Sequence, residues 1–199
     1  MIISAFFCLL ALATFSTALP LDQSRPFALV ILSKDKTYNN TTLIPCAKGK
    51  GGPFTTDILT VPGLCPLAPF GYPIAPVESF NLNYTSSPTL GYLTHEITNK
   101  RTSSGLANRS APMAFYSADS YKVPIFGTAG LDGATKVVFN EKNFLGVLGD
   151  SRSGDGKFEQ WYVCDINTGI VYPSVVWSSG DKAPQLASCV KVDVMRAFA

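Results

Sequence analysis

A single histidine, His95, occurs in the whole chain, and no two of its five cysteines form a Cys-x-x-Cys pair. Cysteine–histidine zinc sites need several such ligands at close spacing, so zinc is rejected as a use for these thiols. Charge is equally scarce. Only 15% of residues are charged and the formal net charge is +2, which leaves no basic footprint for nucleic acid or an anionic membrane. No stretch of a dozen residues shows a 3.6-residue period, and no heptads or internal repeats occur, so helix should be a minor component. The carboxyl end, VDVMRAFA, lacks the long apolar tail of a glycolipid-anchor signal. Nothing in this inventory calls for a cofactor.

Long apolar runs are absent except at the start. Residues 1–18, MIISAFFCLLALATFSTA, carry no charge and end in a small-x-small pattern at Ser16 and Ala18. They read as a secretory signal peptide, and residues 19–199 as one β-rich secreted domain of a size that suits a single core. Spanning a bilayer takes about 20 apolar residues, and Leu19-Pro20-Leu21-Asp22 ends this run early. Removal of the peptide takes Cys8 away and leaves Cys46, Cys65, Cys164 and Cys189. An even count in an exported chain favours two disulfides. Three pairings are open, and spacing favours Cys46 with Cys65 and Cys164 with Cys189. Sequons at Asn39, Asn40, Asn83 and Asn108 fit the same extracellular setting, the first two overlapping and sharing at most one glycan.

Short runs rich in Val, Ile, Tyr and Phe recur at 27–33, 79–84, 89–97, 113–117, 122–127, 135–139, 143–148, 157–165, 169–177 and 189–195, broken by Gly, Asn, Asp, Ser or Pro. This pattern predicts an all-β fold: a single compact β-barrel, β-trefoil-like, or a β-sandwich of about ten short antiparallel strands. The last run is the cleanest, with Val190, Val192 and Val194 on one face and Lys191 and Asp193 on the other. Seven of the fourteen prolines fall between Pro45 and Pro76. Each removes a backbone donor and restricts its predecessor, so 45–76 is expected to be an ordered proline-rich loop.

Catalytic patterns fail on their geometry. Gly149-Asp150-Ser151 resembles the nucleophile block of one esterase family, but that chemistry needs a histidine base downstream and His95 lies upstream. A calcium loop over the same residues would put Arg152 where a ligand belongs. Lys48-Gly49-Lys50-Gly51-Gly52 lacks the spacing of a phosphate loop. His95 and Glu96 are adjacent, so on a strand they point to opposite faces. Glu78, Glu96, Glu141 and Glu159 could supply a glycosidase pair, as any chain of this length could. Lys100-Arg101 is a dibasic pair that a processing protease could cut, but a plain solvated loop is the favoured reading.

Aromatics are the remaining signal. Trp161, Tyr172 and Trp177 cluster late in the chain and could stack on sugar rings, or pack in a core beside a disulfide. Alternation sets Trp161 with Val163, and Tyr162 with Cys164, without saying which face is inner. The stretch containing Phe158, Trp161 and Cys164, then Trp177, then Cys189 with Val190, Val192 and Val194, resembles the tail of small secreted fungal proteins of the PhiA (phialide-associated) type and the related proteins described as IgE-binding. The likeness covers roughly residues 135–196. It implies an extracellular or wall-associated protein, with cell-wall polysaccharide as a candidate partner, and carries over no catalytic residue. The expected function is therefore a noncatalytic, disulfide-bonded, wall-associated glycoprotein. The alternatives are a carbohydrate-binding module or effector and, third, a small hydrolase with an unrecognised carboxylate pair.

Overall fold

A computed structural model describes residues 23–47, 62–66, 80–98, 108–127, 133–148, 156–167, 171–186 and 188–198. Residues 1–18 therefore lie outside it, as do Ser151 and the Lys100-Arg101 pair. The described residues form fourteen strands and no α-helix. In chain order they are β1 Ala28–Leu32, β2 Thr41–Ala47, β3 Pro62–Pro66, β4 Phe80–Ser87, β5 Leu90–Thr98, β6 Asn108–Ser117 and β7 Tyr121–Phe126. They continue as β8 Lys136–Phe139, β9 Leu145–Leu148, β10 Gly156–Lys157, β11 Trp161–Asn167, β12 Val171–Ser178, β13 Val190–Lys191 and β14 Asp193–Ala197. Every pairing is antiparallel, and the curled sheets make a half-barrel that also resembles a sandwich.

Strand neighbours run β10-β9-β8-β5-β6-β7-β3-β2-β1-β14, with β4 on the far edge of β5 and the β11–β12 hairpin joined to β7. β6 carries the chain between the two sheets. Its first half, through Pro112, pairs with β5, and its second half, from Met113, pairs with β7. A residue without an N–H at the changeover leaves no donor unpaired there. The two sheets are tied again at their other margin by single bridges, Gln23 to Asn83, Phe27 to Phe80 and Phe144 to Met195. Ser24 reinforces the first of these, donating N–H to the Leu82 carbonyl and accepting the Leu82 N–H on its hydroxyl, both at 2.9 Å. Such closure hides backbone edges that would otherwise template aggregation.

The main core fills the space between the sheets with Phe27, Leu29, Ile31, Phe80, Leu93, Phe126, Phe139, Trp161, Val163, Val175, Val192 and Val194, among others. A second, smaller cluster lies on the opposite face of β7, β11 and β12, where Val123, Cys164, Ile166 and Val176 are covered by Leu186 and Cys189. The β11–β12 hairpin is thus apolar on both faces. On β11, Trp161 and Val163 point into the main core and Tyr162, Cys164 and Ile166 to the second cluster, as the two-residue period requires, while Asp165 and Asn167 are exposed.

Ten expected strands are all present, with shifts at their ends. The run 157–165 is two strands, β10 paired with β9 and β11 paired with β12, separated by Phe158–Gln160, and 189–195 is likewise divided at Val192 into β13 and β14. Phe158 lies over Gly146, where a Cβ would come 2.7 Å from its ring. The proline-rich segment 45–76, expected to be an ordered loop, needs a correction where it is described: Pro45–Ala47 belong to β2 and Pro62–Pro66 form β3, while residues 48–61 and 67–76 lie outside the described residues. Prolines are accommodated because Pro62 and Pro66 end β3, while Pro45 lies beyond Leu43, the last β2 residue paired to β1. β2 has only one neighbour at that point, so a missing N–H interrupts no second ladder.

Candidate functional site

Both tryptophans are buried. Trp161 is fully enclosed and Trp177 is 6% exposed. They face each other across the β11–β12 ladder with ring centroids 4.8 Å apart and planes at 74°, the edge-to-face arrangement aromatic quadrupoles favour. Phe115 closes over both rings at 6.3 and 6.4 Å. The Trp161 indole N–H donates to the Leu145 carbonyl at 2.8 Å, satisfying the one polar atom that burial would strand. Sugar stacking by Trp161 and Trp177 is therefore overturned: no flat indole face reaches solvent. Tyr172 lies half-buried against the second cluster, away from both indoles.

Cys46, Cys65, Cys164 and Cys189 form two disulfides, Cys46–Cys65 and Cys164–Cys189. The first crosses diagonally between β2 and β3, whose register sets Cys46 opposite Gly63 and Cys65 opposite Ile44. The second pins the segment before β13 onto β11. His95 is half-buried with its ring 5.8 Å from Phe80 and 6.0 Å from Phe126, a packing position beside the core. β9 and β10 pair antiparallel with Leu148 opposite Gly156, while Ser151 lies outside the described residues.

Sequon geometry divides in the same way. Asn39 and Asn40 are exposed on the turn between β1 and β2, and Asn40 takes a left-handed backbone conformation, φ 59°. Asn83 sits inside β4 with its side-chain oxygen buried and without a hydrogen-bond partner. Asn108 begins β6.

The β1–β2 turn also forms one wall of an open cleft of about 810 Å³, whose other wall is Glu159 and the segment Val190–Asp193, which joins β13 to β14. Local side-chain bonds build the turn. The Asp35 carboxylate accepts the Thr37 N–H at 2.8 Å, the Ser33 hydroxyl accepts the Asp35 N–H, and the Asn39 amide oxygen accepts the Ser33 N–H. Short polar side chains that bond their own backbone are the ordinary chemistry of such turns. The Thr37 backbone and hydroxyl bonds hold the Asp35 carboxyl below the usual carboxylate range. That makes it a fixed anion, the wrong state for a general acid. Across the cleft, Lys191 pairs with Glu159 at 3.7 Å, both side chains largely in water.

With Lys34, Asp35, Glu159, Lys191 and Asp193 alternating in sign, the cleft suits neutral polar groups better than a strongly charged ligand. Sequence reasoning passed over this place. Its only linear trace is the Ser33-Lys34-Asp35-Lys36-Thr37 turn pattern, which reads as a connection until the distant segment 190–193 is folded against it. Among the described residues, no three His, Cys, Asp or Glu side chains converge as a metal site, and no helix is long and apolar enough to cross a membrane. No protein-family model, no curated protein and no solved structure matches the chain.

Proposed function

We propose that the protein is a noncatalytic, disulfide-stapled glycoprotein exported to the wall of a fungal cell, where it serves a structural or surface role. The observation that carries this reading is the fate of the residues behind the family resemblance. Phe158, Trp161, Cys164, Trp177, Cys189, Val190, Val192 and Val194 are far apart in sequence, yet each is spent on packing or cross-linking one unit around the β11–β12 hairpin. A pattern consumed by folding fits a family whose shared feature is a durable scaffold. Two disulfides are compatible with an oxidising compartment outside the cytosol, and the exposed Asn39–Asn40 turn is open to a glycan.

Fractionation of the native host tests the location, with wall, medium and cytosol probed separately and the wall fraction followed by retention on chitin and β-glucan. Wall or medium recovery, with a mass that falls on deglycosylation, is the expected result. Recovery confined to the cytosol as an unglycosylated thiol form would overturn the proposal.

A further inference from the structure

Beside the paired strands β1 and β14, arginines and phenylalanines alternate. Arg25 stacks over the Phe198 ring with its guanidinium carbon 4.2 Å from the centroid. Arg196 lies 5.3 Å from the same centroid and 4.4 Å from that of Phe139. Phe27 meets Phe139 and Phe198 edge-on at 5.6 and 5.7 Å, fixing the rings from below. Both guanidiniums are therefore held on one ring, and their separation cannot exceed the sum of their distances from it.

The backbone fixes them further. Arg25 follows Ser24, which is bonded both ways to Leu82, and precedes the bridge from Phe27 to Phe80. Arg196 donates its backbone N–H to the Asn143 carbonyl at 3.0 Å and its Nε–H to the Asn143 side-chain oxygen at 2.8 Å. Asn143 can offer both because it holds a left-handed conformation, φ 64°, in a turn where the Asn140 side chain accepts the N–H groups of Lys142 and Phe144. The Arg196 plane is thus set by one of its five N–H donors, which leaves the terminal nitrogens for another acceptor. Neither arginine forms an ion pair among the described residues.

Two cations on one ring repel each other, and Arg196 is half-buried, so water screens it incompletely. Ring faces offset part of that cost. An oxyanion would offset more, since a planar guanidinium held in place presents paired N–H donors to a carboxylate or phosphate. We propose that Arg25 and Arg196, oriented by Phe198, Phe139 and Asn143, form a binding site for an oxyanion, a carboxylate or phosphate group carried on a saccharide or free in solution. The site is separate from the cleft and does not depend on wall association.

The test is a titration of the folded, disulfide-intact protein with inorganic phosphate and, separately, with digalacturonate, at constant ionic strength, following arginine Nε–Hε and backbone amide resonances. Saturable shifts centred on Arg196 and Phe198 are expected with at least one probe. Arg25→Gln, at an exposed position, should weaken that binding at least tenfold while leaving the rest of the spectrum in place, and Arg25→Lys should restore only part of it. Saturation by digalacturonate alone assigns a uronate-bearing saccharide, and saturation by phosphate alone assigns a phosphate group. Linear shifts with both probes, or an unchanged dissociation constant in Arg25→Gln, would overturn the site.

Discussion

The two disulfides close loops of similar length in very different surroundings. Cys46–Cys65 spans 19 residues and braces a proline-bearing strand pair, β2–β3, that lies between β7 and β1 in the sheet. Cys164–Cys189 spans 25 residues and fastens a nonregular segment over the second apolar cluster on the back of β11 and β12. In the chain-entropy account each contributes on the order of 3 kcal/mol, and the difference in loop length is worth only about 0.2 kcal/mol. Any larger difference must come from the native state. At β2–β3 the ladder already holds the two cysteines together over five residue pairs. At Cys189 only short pairings anchor the segment, so the bond and the apolar cover depend on each other.

The largest effect should come from the packing both faces share. Trp161→Ala empties the centre of the main core and strands the Leu145 carbonyl, and is expected to cost about 3–5 kcal/mol in urea unfolding, enough to unfold a marginal domain. A cost under about 1 kcal/mol would show that the hairpin is not the keystone of the core. Next in size, Cys164→Ala with Cys189→Ala should lower stability by about 3 kcal/mol or more and expose the Tyr162 and Tyr172 side of the sheet to solvent. Cys46→Ala with Cys65→Ala should cost less and leave that side protected in hydrogen exchange. Equal losses and equal protection would erase the contrast between the two regions.

The smallest effect belongs to the polar turn at the cleft. Asp35→Ala removes the acceptor for the Thr37 N–H, and a melting temperature lowered by about one degree is expected. Because the folded Asp35 carboxyl titrates below its unfolded value, its contribution is present above about pH 3.9 and lost as pH falls through the folded value. The melting curves of the two proteins should therefore converge in acid; a gap that widens as pH falls would reverse the sign of this assignment.

Strands rich in β-branched and aromatic residues were legible because the two-residue period survives in a linear reading, and Val190, Val192 and Val194 do share the inner face, Val192 and Val194 almost completely buried. β2 and β3 were not, since proline density speaks of lost donors and cannot tell that Pro45, Pro62 and Pro66 occupy positions where a donor is dispensable. The spacing of the cysteines pointed to the pairing that forms. Aromatic composition misled about the site: Trp161 and Trp177 looked available for a ligand, whereas their alternation partners Val163 and Val175 line the main core with them.

What the sequence by itself determined is the all-β character and the local disulfide spacing, because both depend on near neighbours along the chain. Which face of β11 and β12 is inner was left to tertiary structure, since both faces are apolar and period alone cannot rank them. The meeting of Arg25 with Phe198 and Arg196 was decided there too. Those residues are separated by nearly the whole chain, and only the pairing of β1 with β14 brings them to one place.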